Sequence, residues 1–134
     1  MGKRETMLQN FIVPETVIRE DGTGVPIDAG SSRGKTLVLT LGITRIIEQE
    51  SLELSLWGSP DGTDWGSSPL IAFPQKFYCG TYTLLLDLSR TPDIAYLRPQ
   101  WKVNRWGRGD SKPLFGVYLF AQEAEEPAYA MAGA

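Results

Sequence analysis

Histidine is absent from the 134 residues. That removes both the commonest general base and the commonest metal ligand. Cysteine occurs once, as Cys79, so no intrachain disulfide forms and the fold must stand on packing. With no histidine to activate it, Cys79 is no nucleophile, and it reads as a small buried thiol beside a turn. No run approaches the ~20 apolar residues of a membrane span. Residues 1–7 have no apolar stretch of signal-peptide length. The formal charge of −3 carries no general attraction to nucleic acid or to an anionic membrane. No internal repeat is visible. With no catalytic constellation, cofactor motif or metal-ligand cluster, the sequence points away from an enzyme.

What is plentiful is turn chemistry. Fourteen glycines and nine prolines punctuate short runs of β-branched, aromatic and leucine residues. The clearest stretch is Ser51 to Gly66. Leu52, Leu54 and Leu56 alternate with Glu53 and Ser55, the period-2 pattern of a strand with one buried face. The segment from Gly58 to Asp64 then supplies almost every turn-forming residue type, between the indoles of Trp57 and Trp65. Asp61 and Asp64 lie within this one turn. Capping of backbone N–H groups explains them better than a catalytic carboxylate pair, and as a calcium site the loop lacks further acidic ligands.

The same grammar runs through the chain. Residues 8–19 read as an edge strand, or as two short strands around a bend at Pro14, because proline cannot donate to a ladder. Residues 20–34 are loop-like, with Val25 and Ile27 as a short bridge. Lys35 to Ile47 is the most β-prone run, and Gly42 within it marks a bulge or a close backbone approach. Pro69 to Tyr78 reads as a strand broken at Pro74, and Thr81 to Leu88 as an uninterrupted one. Ile94 to Arg105 places Tyr96, Arg98, Gln100, Lys102 and Asn104 on one face, with Pro99 demanding an edge position or a bulge. Leu114 to Ala121 is the last strand.

Seven to eight strands at regular spacing predict an all-β fold, an antiparallel β-sandwich or jelly roll in a single domain over residues 1–134. Residues 1–10 and 123–134 are expected to be extended terminal arms. The second is acidic and then alanine-rich. Such segments fray in a free monomer, and another copy of the chain is the simplest partner to tie them down.

Gly58, Ser59, Asp61, Gly62 and Trp65 together form a GSxDGxxW turn. It resembles the turn of discoidin-like sandwiches and of many small phage and bacterial β-sandwich structural proteins. The resemblance implies a sandwich in which the turn joins two strands with the tryptophan packed beneath it. On that expectation Trp65→Ala removes a large buried ring, at a cost of about 3–5 kcal/mol.

The candidate interface or ligand residues are Trp57, Trp65, Trp101 and Trp106, together with Arg98, Lys102, Arg105 and Arg108. The indoles, with Tyr78, Tyr82 and Tyr96, suit either a core and interface or a sugar-stacking platform. Trp106 is the better platform, because Gly107 and Gly109 leave its surroundings open. The basic residues form a stripe, expected to meet Glu123, Glu125 and Glu126 in the tail of a neighbouring copy. The triplet Arg108-Gly109-Asp110 at a hairpin tip is ordinary turn chemistry. The sequence therefore points to a self-assembling structural subunit of a virion, tail or extracellular filament or tube, with its arms on neighbouring copies. Its partners are homo-oligomeric, without nucleic acid or membrane. A carbohydrate-binding module or adhesin on the same sandwich is the alternative. Synthesis in the cytoplasm without a signal peptide, followed by incorporation into a virion or extracellular assembly, completes the expectation.

Overall fold

A computed structural model describes residues 9–109 and 112–124. The elements are β1 (Gln9–Ile18), β2 (Gly22–Thr23), β3 (Ile27–Asp28), β4 (Thr36–Ile46), β5 (Glu50–Ser59), β6 (Ile71–Ala72), β7 (Gly80–Asp87), β8 (Tyr96–Arg105) and β9 (Phe115–Glu123). They build two antiparallel sheets. One runs β1-β9-β4-β7, and the other runs β2-β8-β5-β6 with β3 also on β8. No helix among the described residues is long and apolar enough to cross a membrane.

Alternation explains why these strands stack as a sandwich. Leu37, Leu39, Leu41 and Ile43 of β4 are buried, as are Phe115, Val117, Leu119 and Ala121 of β9. They join Leu52, Leu54 and Leu56 of β5 and Leu97 of β8 in one core cluster. A side-chain period of 2 sends each strand's other residues outward. In β8 the outward set is the one expected, from Tyr96 to Asn104.

Two prolines sit where their missing N–H costs little. Pro14 lies in β1, an edge strand, and the β1–β9 register shifts on both sides of Val13. Pro99 departs from expectation, because β8 is an interior strand and the β5–β8 register runs unbroken through Pro99. Its carbonyl accepts from the Gly24 N–H at 2.9 Å. Residues 24–26, between β2 and β3, therefore face the position where Pro99 has no N–H to offer. Two short strands in place of one long one accommodate the proline.

Gly42 fulfils the close-approach reading. A Cβ there would stand 2.1 Å from the Tyr118 ring. Tyr118, its cross-strand partner on β9, thus lies flat against the glycine backbone. The register break follows just after, between Ile43 and Arg45. The run from Pro69 to Tyr78 keeps only Ile71–Ala72 as a strand, with an isolated bridge from Lys76 to Leu52 beyond Pro74. Residues 47–49 form the turn from β4 into β5. Cys79 is exposed rather than buried, since it lies in the loop before β7.

The register separates the two ends of the sandwich. Gln9 pairs with Gln122, and the Ala124 N–H bonds the Thr36 carbonyl at 2.9 Å. The described chain therefore begins and finishes at one end. Gln9 and Asn10 belong to β1 and Glu123 to β9. Of the expected arms, residues 1–8 and 125–134 lie outside the described residues. The other end gathers the β4–β5, β6–β7 and β8–β9 connections, because Ile46 pairs with Phe115, Ile43 with Gly80, and Glu50 with Arg105.

Candidate binding site at the loop end

Glu50 organises that loop end. It is only 1 % exposed. Its Oε1 accepts from the Leu114 N–H at 2.7 Å and its Oε2 from the Ile47 N–H at 3.0 Å. One buried carboxylate thereby ties the β8–β9 loop to the β4–β5 turn, and both oxygens are satisfied by charge-assisted bonds. A further bond runs from the Trp106 N–H to the Gln49 carbonyl at 3.0 Å. Gln49 holds φ at 63°, in the left-handed region that favours glycine. A non-glycine residue persists there only where its surroundings over-determine the backbone.

Three rings stand on this scaffold. Trp106 is 55 % exposed and Tyr78 is 69 % exposed, with Phe77 beside them. Phe77 meets Trp106 edge-on at 6.3 Å between centroids. Tyr78 is held from behind, because the Tyr82 hydroxyl donates to its carbonyl at 3.1 Å and the Lys76 ammonium lies 3.9 Å over the Tyr82 ring. Ile46, Glu48 and Gln49 complete a groove of about 500 Å³.

The other sequence-derived residues lie elsewhere. Trp57, Arg98 and Lys102 share the outer face of the β5–β8 sheet, where Trp57 pairs with Arg98 and Glu53 with Lys102. The Trp57 indole N–H donates to the Ser55 hydroxyl at 3.1 Å. Trp65 does not enter the core cluster. Its ring instead carries the Arg98 guanidinium at 4.4 Å, so Trp65→Ala uncovers an arginine and leaves no core cavity. Trp101 turns the other way and packs on the core between Gly22 and Pro99. It is not interleaved with the basic side chains. Arg105 and Arg108 lie at the loop end, where the Arg105 Nη1 donates to the Arg108 carbonyl at 3.2 Å.

Glu123 is occupied within its own chain. The Ser32 hydroxyl donates to it at 2.7 Å and the Lys35 ammonium stands 3.8 Å away. Glu125, Glu126 and Asp110 lie outside the described residues. Phe77 and Glu50 were missed by the sequence reading, and Tyr78 was grouped with the indoles without its place beside Trp106 being foreseen. An alternating run with a proline break does not reveal that its last two rings project from a loop, and an acid at a strand start carries no mark of burial.

The Asp61 turn is the capping turn expected. The Ser59 hydroxyl accepts from the Gly62 N–H at 2.8 Å, and Asp61 Oδ1 accepts from Thr63 at 2.9 Å and Asp64 at 3.0 Å. Gly62, at φ 86°, supplies the left-handed step. The Asp64 N–H first, then the Thr63 N–H and the Ser59 hydroxyl, hold the Asp61 carboxyl well below the usual carboxylate range. A depressed folded-state pKa contributes stability that is complete above the unfolded value of ~3.9 and is lost as pH falls through the folded one. Asp61→Ala is expected to melt earlier than the parent protein at neutral pH, with the gap closing as acid is added. Melting curves at a series of pH values check this, and a gap that widens in acid would refute it.

No family model and no curated protein sequence matches the chain. Solved structures do. A chain of the infectious bursal disease virus Gx strain superposes with a TM-score of 0.61 at 8% identity, over 92% of this chain and 32% of that one. A chain of the T13 viral particle of the same virus gives 0.54 at 11% identity, over 87% and 30%. A chain from Bacillus endospore appendages, a family of disulfide-linked pili, gives 0.47 at 5% identity, over 87% and 86%. This chain thus spans about a third of the viral chains it matches. At such identities the likeness to the viral chains shows a shared β-sandwich fold.

Proposed function

We propose that the protein is a self-assembling structural subunit, of virion, tail or extracellular filament type, whose terminal segments contact neighbouring copies. One observation carries this reading: the outer face of the β1-β9-β4-β7 sheet carries an exposed apolar patch. An antiparallel sheet with one face on the core usually turns polar residues to water on the other. Here Phe11, Val38, Leu85, Tyr118 and Phe120 point outward together with Thr40 and Thr83, while Thr36, Thr81, Asp87 and Gln122 supply the polar part of the same face. Phe11 stacks edge-on with Phe120 at 4.9 Å and Tyr118 at 6.0 Å. With Pro14, Glu15 and Thr40 these rings line an open groove of about 590 Å³. A contiguous exposed apolar surface of this kind marks an interface. The sandwich likeness to virus-particle chains is consistent with the reading, as is the placement of Gln9 and Ala124 at one end of the sandwich.

Purified protein should sediment and scatter light as species much larger than 14.8 kDa. Truncation after Ala124 is the informative deletion, since Glu123 is part of β9 and bonded to Ser32. Removing residues 125–134 is expected to shift the population toward monomers with an unchanged β-sheet circular dichroism spectrum. Full-length protein that stays monomeric at high concentration would overturn the proposal.

A further inference from the structure

We infer that the groove formed by Phe77, Tyr78, Trp106, Glu48 and Gln49 is a binding site for a neutral oligosaccharide. The rings supply flat apolar surfaces, which suit the C–H faces of a sugar. Glu48 and Gln49 supply planar oxygen and nitrogen groups for paired sugar hydroxyls. A ligand that is apolar on its faces and hydroxylated at its rim is what this mixture fits. The groove, at about 500 Å³, falls within the ~300–1,000 Å³ of small-ligand sites.

The scaffold is built before any ligand arrives. The Glu50 carboxylate joins two of the loops, Trp106 is bonded through its backbone to Gln49, and Tyr78 is braced by Tyr82. Such preorganisation lowers the entropy lost on binding. The strained φ of Gln49 places an amide-bearing residue beside the rings where glycine would be easier. Charge decides against an anionic ligand. Among the described residues, the charged ones that line the groove are Glu48 and Glu50. Arg105, Arg108 and Lys76 lie at the same end without lining it. A phosphate, sulfate or sialic acid in the groove would therefore meet like charge. The location also fits, because this end lies opposite Gln9 and Ala124. In the assembly proposed above it would point away from contacts made by the terminal segments. That orientation rests on the assembly reading, whereas the chemistry of the groove does not.

The test is a glycan array followed by isothermal titration with maltohexaose, cellohexaose, chitohexaose and sialyllactose, on the full chain. Binding to at least one neutral glycan and none to sialyllactose is expected, with a change in tryptophan fluorescence. Trp106→Ala and Gln49→Gly should each weaken it about tenfold or more, with sedimentation and far-ultraviolet circular dichroism unchanged. Tyr78→Ala, at a still more exposed ring, repeats the test should Trp106→Ala perturb the loop. Failure of every neutral glycan to bind, or equal affinity in all three variants, would overturn the inference. So would Trp106→Ala protein that loses its oligomers while the parent binds no glycan, which would make the cluster a subunit contact. The version truncated after Ala124 separates the two proposals: glycan binding retained by monomers supports the site, whatever becomes of the assembly.

Discussion

Phe115→Ala is expected to remove about 3–5 kcal/mol from the unfolding free energy, the range for truncating a fully buried aromatic ring. Phe115 is 0 % exposed. It sits where β9 enters its sheet, paired with Ile18 on one side and Ile46 on the other. Truncation would leave a cavity between the edge strand β1 and the long strand β4, and neither neighbour can close it without losing its own register. Urea unfolding followed by tryptophan fluorescence measures the loss. The midpoint should fall with little change in slope, since the surface exposed on unfolding is nearly the same. A cost under about 1 kcal/mol would mean that the site collapses freely, contrary to the close packing of a protein interior.

Glu50→Ala is expected to cost about 3 kcal/mol by another route. The N–H groups of Ile47 and Leu114 lose their shared acceptor, and each buried donor left unsatisfied costs about 1–3 kcal/mol. The damage is local, so hydrogen exchange should quicken at Ile47, Leu114 and Trp106 while Leu39 and Leu119 keep their relative protection. Glu50→Gln retains one carbonyl acceptor and should recover part of the loss. Equal destabilisation by alanine and glutamine would show that charge, not acceptor count, holds the two loops together. Phe115→Ala, by contrast, should lower protection across both strands flanking the cavity.

Strand existence was legible because burial is written along the chain with period 2. Leu52, Leu54 and Leu56, and likewise Leu37, Leu39 and Leu41, cannot reach the core together except as strands, and they do so. The turn at Ser59–Asp64 was equally legible, because each of its bonds spans no more than three residues. Trp65 shows where this local logic stops. A tryptophan after Asp-Gly looks as if it folds beneath its own turn. Its partner is Arg98, on a strand more than thirty residues later, and no local pattern announces that pairing. Pro99 makes the same point. Proline in a strand signals an edge, but the chain solves the problem with a gap between β2 and β3, which only the pairing of distant segments displays.

The candidate site divides in the same way. Trp106 was singled out by the two glycines that follow it, and it is exposed, although Gly107 itself lies against Gln49 and Arg105 and only Gly109 has open space around it. Phe77 and Tyr78 came from a segment read as strand, and Glu50 gave no local sign of its function. They meet because β5 starts, β7 starts and β8 ends at one edge of the sandwich.

The sequence by itself determined a sandwich of alternating strands without histidine chemistry, with a self-capped turn and one open tryptophan, because periodicity, absence and short-range hydrogen bonds need no knowledge of distant residues. Tertiary structure alone decided which rings share a groove, which outer face carries an apolar patch, and which acid is buried. Those are properties of pairs far apart in the chain, set by strand order and register.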